Sequence, residues 1–104
     1  MSRFVHPAKE DITLAGVLGA LGDPMRLKIL KTLLEKHDGG VSCSSAAPCA
    51  EMAKSTLSHH FRVLRDAGLI RTTKQGVENL NKVRRDELNE RFPGLLKTIM
   101  KFQP

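Results

Sequence analysis

Tryptophan and tyrosine are absent from the 104 residues, and phenylalanine occurs only four times. A core without large aromatics has to come from Leu, Ile, Val, Met and Ala. Sheet-rich folds ordinarily carry more aromatic and β-branched residues, so the composition leans towards helix. No apolar run approaches the roughly 18 residues of a membrane span. The segment from Met1 to Lys9 also lacks the apolar core of a secretory signal. With only two cysteines, reduced thiols in the cytoplasm are expected rather than a structural disulfide. The expectation is therefore a soluble cytoplasmic chain with no membrane partner. Its length fits one domain over residues 1–104. A domain this small buries a limited share of its surface, so pairing of two copies is a natural source of extra core.

Acidic charge is the next shortage, and it is local. The net charge is +6. Between Lys54 and Arg85 stand eight Lys/Arg against Asp66 and Glu78, while the rest of the chain is balanced. Extending that window through Glu90 would add Asp86, Glu87 and Glu90. A concentrated basic stretch is the footprint of a nucleic-acid surface, and it is equally what a solvated basic face looks like.

Periodicity divides the chain into short elements. Asp11 is placed to cap a first helix running to about Leu21, with Leu14, Val17, Leu18 and Leu21 as its apolar stripe. Gly22 ends it. Asp23-Pro24 starts a second helix, because Asp caps and Pro fits the first turn without losing a needed donor. Leu27, Leu30, Leu33 and Leu34 form its inner face, and Gly39-Gly40 breaks it. Val41 to Pro48 is small and polar and reads as a loop, with a short helix from about Pro48 to Met52. The segment from Lys54 to Ala67 has the clearest helical pattern. Leu57, Phe61, Leu64 and Ala67 lie on one side, Ser55, Ser58, His59 and Arg62 on the other, and Gly68 stops it. Leu69–Lys74 and Val77–Val83 then alternate as two strands turning at Gln75-Gly76. A short helix over Asp86–Arg91, the interruption at Pro93-Gly94 and a last amphipathic stretch carrying Leu95, Leu96, Ile99, Met100 and Phe102 close the chain.

A helix entering the major groove needs one face that packs on its domain and another with short polar or cationic groups that reach base edges. The Lys54–Ala67 segment has both. Ser55, Ser58, His59 and Arg62 fall within about 100° of arc at 3.6 residues per turn. A serine hydroxyl can meet several base edges or a phosphate, Arg62 can grip guanine O6 and N7 with both arms, and His59 can donate or accept. Any solvated helix also has polar residues outside, so the pattern gains force from the basic hairpin directly after it. Arg71, Lys74 and Lys82 flank a slender turn at Gln75-Gly76, suited to phosphate contacts that add affinity without sequence information.

The strings Leu21-Gly22-Asp23-Pro24-Met25-Arg26-Leu27-Lys28-Ile29-Leu30 and Lys54-Ser55-Thr56-Leu57-Ser58-His59-His60-Phe61-Arg62-Val63-Leu64-Arg65-Asp66-Ala67-Gly68-Leu69-Ile70 closely resemble the ArsR/SmtB winged-helix regulators. The resemblance runs from about His6 to Met100. It implies a mainly α winged helix-turn-helix fold with a small β-hairpin wing, dimerising through its N- and C-terminal helices. It further implies a homodimeric repressor of double-stranded operator DNA, released by an inducer whose identity is open. The family's reading helix carries over to Lys54, Ser55, Thr56, Ser58, His59 and Arg62. Its wing carries over to Arg71, Lys74, Gln75, Gly76 and Lys82, and its dimer surface to Leu14, Val17, Leu18, Leu95, Ile99 and Phe102. Ala53 stands where relatives usually place a capping serine, and the Val41–Met52 stretch departs from the usual member. A constitutive regulator or activator without sensing stays open, as does a winged-helix protein-interaction module. Against the module, the polar face holds Ser, His and Arg rather than apolar anchors.

Catalysis has no support in the residues. There are no paired carboxylates, nucleophile elbow or phosphate loop, and neighbouring Ser58 and His59 on a helix lack an orienting third group. No metal site and no cofactor are expected either. The Cys-x-Cys pattern of the family's arsenic sensors is missing, and the last helices hold no His or Cys for its zinc pattern. His60 falls beside the apolar face and reads as a packing or hydrogen-bonding residue. Cys43 and Cys49 share a loop that could bring their sulfurs within disulfide reach, at a Cα separation of roughly 5.5 Å. They are either a thiol switch acting on the adjacent helix or two inert small residues.

Overall fold

The computed structural model describes residues 4–36, 40–46 and 52–102. After a short 3-10 turn at Lys9–Asp11, helix α1 spans Leu14–Leu21. The cap is Thr13, whose Oγ1 accepts the Gly16 amide at 3.0 Å, and not Asp11 as the pattern predicts. Ile12 explains the shift. It is 1% exposed, with extended backbone, so the chain drops this side chain into the core before the helix begins.

Helix α2, Pro24–Glu35, starts where expected. Asp23 Oδ1 accepts the amides of Met25 at 2.7 Å and Arg26 at 3.2 Å. These bonds, the Arg26 amide foremost, hold the Asp23 carboxyl below its ordinary range. Its inner face is Ile29, Leu30, Leu33 and Leu34, so the stripe is rotated towards Ile29, and Leu27 is only half-buried. The helix ends at Glu35, ahead of the predicted glycine break, of which Gly39 lies outside the described residues. The Arg85 guanidinium donates to the Leu34 carbonyl at 2.5 Å and so covers the open end of α2.

The expected loop after Gly40 is instead a two-residue strand β1, Val41–Ser42, followed by a one-turn helix α3, Cys43–Ala46. A strand this short has no period to read. It exists because β1 pairs antiparallel with a strand far along the chain, Val41 facing Asn81 and Ser42 facing Leu80. Of the helix expected from Pro48 to Met52, all but Met52 lies outside the described residues.

Helix α4, Lys54–Asp66, then strands β2, Ile70–Gln75, and β3, Glu78–Val83, follow as the pattern predicts. Gly68 ends α4 with φ +86°, and a Cβ there would meet Ile12 Cγ1 at 2.5 Å, so only glycine fits this crossing. The sheet order is β1-β3-β2, with Arg71 opposite Lys82 and Thr72 opposite Asn81. Helices α5, Arg85–Arg91, and α6, Leu95–Lys101, close the fold. Phe61 and Leu64 of α4 pack with Ile29, Leu30 and Leu33 of α2, Val17 of α1, and Leu69, Ile70, Leu88 and Leu96 in one core. Each fully buried Leu or Ile contributes about 1.5–3 kcal/mol. Among the described residues no helix is long and apolar enough to cross a membrane.

The two faces of α1 part company. Leu14 and Leu18, one turn apart, are 47% and 53% exposed, whereas Val17 is fully buried. Val17 and Ala20 face inward and belong to the core. Val17 is therefore not part of an outward dimer surface, contrary to the expectation. At the other end Phe102 is 62% exposed, and Leu95 and Ile99 are half-buried against the core.

Candidate nucleic-acid interface

Helix α4 is anchored from behind. Phe61 and Leu64 sit in the core, and His60 is nearly buried beside them. The Arg26 guanidinium from α2 donates to His60 Nδ1 at 3.3 Å and to the Ala20 carbonyl at 2.6 Å. His60 thus has the packing and hydrogen-bonding place expected of it. Two helices are locked at their crossing by a polar contact as well as by apolar packing.

The front of α4 is open. Lys54, Ser55, Thr56, Ser58, His59 and Arg62 are all exposed. Among the described residues, no hydrogen bond or ion pair within the chain engages the side chains of Lys54, Ser55, Thr56 or Ser58. Arg62 reaches Asp66 one turn on at 3.8 Å, with 74% of its side chain exposed. Such an exposed pair contributes little and is easily exchanged for another partner. Ala53 offers no side-chain cap, yet the helix begins at Lys54, and among the described residues no side chain caps its first amides.

The wing joins α4 through a polar network. Arg65 Nη1 donates to Thr72 Oγ1 at 3.3 Å, Thr72 Oγ1 donates to Asn81 Oδ1 at 2.7 Å, and Asn81 Nδ2 donates to the Val41 carbonyl at 3.0 Å. Thr72 and Asn81 are 3% and 1% exposed. Burial pushes the Arg65 guanidinium below its ordinary value. Beyond this base the hairpin projects into solvent. Lys74, Gln75, Gly76 and Lys82 are exposed, Gly76 takes φ +64° in the two-residue turn, and Val77 at the tip is 98% exposed.

Not every basic residue of the stretch is free. Arg71 pairs with Glu87 at 3.3 Å, and Arg84 holds the same carboxylate from both arms at 2.8 Å while its own side chain is 1% exposed. Arg84 first, then Arg71, draw the Glu87 carboxyl down to about 2. Behind the wing, a cleft of about 440 Å³ is lined by Arg71, Lys82, Arg85, Asp86 and Glu87 among others, a mixture of both signs. Arg65, Thr72, Asn81, Arg84 and Glu87 did not stand out in the sequence. The available signal was a polar residue at an inward strand position, Asn81 two places before buried Val83.

Cys43 is half-buried at the start of α3, and its Sγ accepts from Asn81 Nδ2 at 3.4 Å. Cys49 lies outside the described residues, so the separation of the two thiols is not described. Among the described residues, no group of three or more His, Cys, Asp or Glu is placed to hold a metal ion.

Residues 21–73 match a helix-turn-helix domain family. The HTH-type transcriptional regulator YceK of Bacillus subtilis is 33% identical over 90 residues, covering 86% of this chain and 89% of the relative. Among solved structures, the ArsR family transcriptional regulator RHA00566 superposes with a TM-score of 0.65 at 27% identity. That match covers 86% of this chain and 98% of the other. The transcriptional repressor BigR of Xylella fastidiosa shares the fold at 24% identity and a TM-score of 0.58, over 76% of this chain and 85% of BigR.

Proposed function

The chain belongs to the DNA-binding helix-turn-helix transcriptional regulators of the ArsR family, and from that premise we propose that it is a homodimeric repressor reading operator DNA with the front of α4. One observation carries this: the exposed front of α4 holds hydroxyl, imidazole and guanidinium groups with almost no partners among the described residues, on a helix whose back is locked. Ser55, Ser58, His59 and Arg62 meet base edges, and Arg62 leaves Asp66 for a guanine. Lys54, Thr56 and the open amides at the start of α4 hold phosphates. Lys74, Gln75, Gly76 and Lys82 bring the wing against the neighbouring backbone, while Arg71 stays paired with Glu87 at the wing's base. Two copies join through Leu14 and Leu18 of α1 with Leu95, Ile99 and Phe102 of the C-terminal helix region, covering apolar surface that one copy leaves in water. A dimer bound across a promoter blocks transcription, the role that BigR, a relative in fold, has by name.

The test is binding to a duplex carrying the region upstream of the chain's own reading frame. Two copies per duplex and affinity falling steeply with salt are expected. Arg62→Ala should cost about 1–3 kcal/mol of discrimination between that duplex and a scrambled one. Full discrimination by the variant would show that α4 does not read sequence as assigned.

Release by thiol modification is supported by the position of Cys43. Its sulfur touches Asn81, which through Thr72 reaches Arg65 of α4, so a modified sulfur disturbs the joint between wing and reading helix. Replacing Cys43 and Cys49 together by Ser should abolish release by peroxide or arsenite. Unchanged release would leave the signal to another inducer.

A further inference from the structure

The residues ahead of α1 run along the base of the wing and touch three different elements. The Phe4 ring lies beneath the Arg65 guanidinium of α4, with Cζ 4.5 Å from its centroid. His6 Nε2 accepts the Thr72 amide of β2 at 2.9 Å. The Pro7 carbonyl accepts from Arg84 Nη1 at 2.8 Å, and Lys9 pairs with Glu90 of α5 at 2.8 Å. Because β2 is an edge of the sheet, His6 satisfies an edge amide that no strand reaches. The segment straps the reading helix, the wing and α5 together.

That contact works in one protonation state only. Nε2 accepts a hydrogen bond only while it carries no proton, so the His6 ring is neutral with its proton on Nδ1. The groups facing it are cations from every side: Arg65 from α4, Arg71 from β2 and Arg84 ahead of α5. The nearby carboxylate, Glu87, is already held between Arg71 and Arg84. A proton on Nε2 would place two N–H donors head to head and add a fourth positive charge to the cluster. Burial first, then Arg71, Arg84 and Arg65, keep the ring below its ordinary value of 6.5. The strap's contribution is therefore complete above about 6.5 and is lost as the pH falls through the lower value of the folded chain.

We propose that His6 is a positioning residue for DNA binding: neutral, it pins the Phe4–Lys9 strap to β2 and fixes the wing against α4, and protonated, it releases them. Two elements that must meet one duplex bind best when their mutual angle is set beforehand, since ordering them on contact costs affinity. This rests on the DNA-binding reading of α4 and the wing.

The experiment compares the full chain, His6→Gln and His6→Leu on a mixed-sequence duplex of about 30 base pairs, long enough for two half-sites one helical turn apart. Affinities are measured from about pH 7.5 down to about pH 4.5, well below the ordinary histidine value, so that a lowered ring is still crossed. The Thr72 amide is followed by NMR in the free protein. Glutamine offers a neutral acceptor that never titrates, and leucine offers none. His59 is common to all three chains, so its contribution cancels in their ratios.

The wild-type chain should lose affinity relative to His6→Gln by at least about threefold on acidification, with the Thr72 amide shift tracking the His6 ring. His6→Leu should stay at the weaker level throughout. A constant ratio of wild type to His6→Gln across the range would overturn the proposal, even if the Thr72 amide titrates. Absence of salt-sensitive binding by all three at about pH 7.5 would overturn the DNA reading and this proposal with it.

Discussion

The front of α4 and the base of the wing are both rich in polar groups, and they use them in opposite ways. At the base, Arg65, Thr72, Asn81 and Arg84 are each engaged: Thr72 by an arginine, an asparagine and the His6 ring, Asn81 by a hydroxyl and a carbonyl. On the front of α4, the hydroxyls of Ser55, Thr56 and Ser58 are exposed. A polar group already satisfied inside the fold sets geometry and has little left to offer a ligand. One kept in water at low cost has its bonding capacity intact. The difference separates the part of the surface that holds the shape from the part that can read a partner.

The largest effect expected from that comparison is at Asn81. Its amide is fully buried and bridges β3 to β1 and to β2. Asn81→Leu keeps the volume but strands the Thr72 hydroxyl and the Val41 carbonyl without their partner. We expect a loss of about 2–3 kcal/mol and a Tm lower by on the order of 10 °C, measured by thermal and urea unfolding. A variant as stable as the parent would mean that the network is ornamental and that apolar packing alone sets the wing.

The same contrast explains what could be read from the sequence. Helix α4 was legible because its apolar period runs unbroken through Leu57, Phe61 and Leu64, and α2 because Asp23-Pro24 is a start signal that needs no distant partner. The hairpin was legible from its alternation and Gly76. Strand β1 was not, because two residues carry no period and their pairing with Asn81 and Leu80 spans some forty positions of chain. Asp11 and Thr13 are both good caps, and only the burial of Ile12 decides between them. Val17 was misplaced for a related reason. On a helix apolar all round, periodicity alone does not say which leucines face the core. Counting charge treated Lys54–Arg85 as one basic surface. The fold spends Arg65, Arg71, Arg84 and Arg85 on internal partners and leaves Lys54, Lys74, Lys82 and Arg62 outward. The elements that carry the candidate site are therefore legible where a local pattern makes them, and hidden where distant residues meet.

The smallest expected effect on folding is also the most pointed test of the comparison. Ser58 is exposed in the middle of α4 and has no hydrogen bond within the chain among the described residues. Alanine is the better helix former by up to about 0.5 kcal/mol, so Ser58→Ala should leave stability unchanged or slightly raised in urea unfolding. On the cognate duplex the same change removes a hydroxyl from the reading face, and affinity should fall by about threefold to tenfold, one neutral hydrogen bond's worth. Binding to a scrambled duplex should scarcely move. Opposite signs for folding and for binding at one residue are what a surface reserved for a partner gives. A serine that merely decorates a solvated helix would show the first effect without the second.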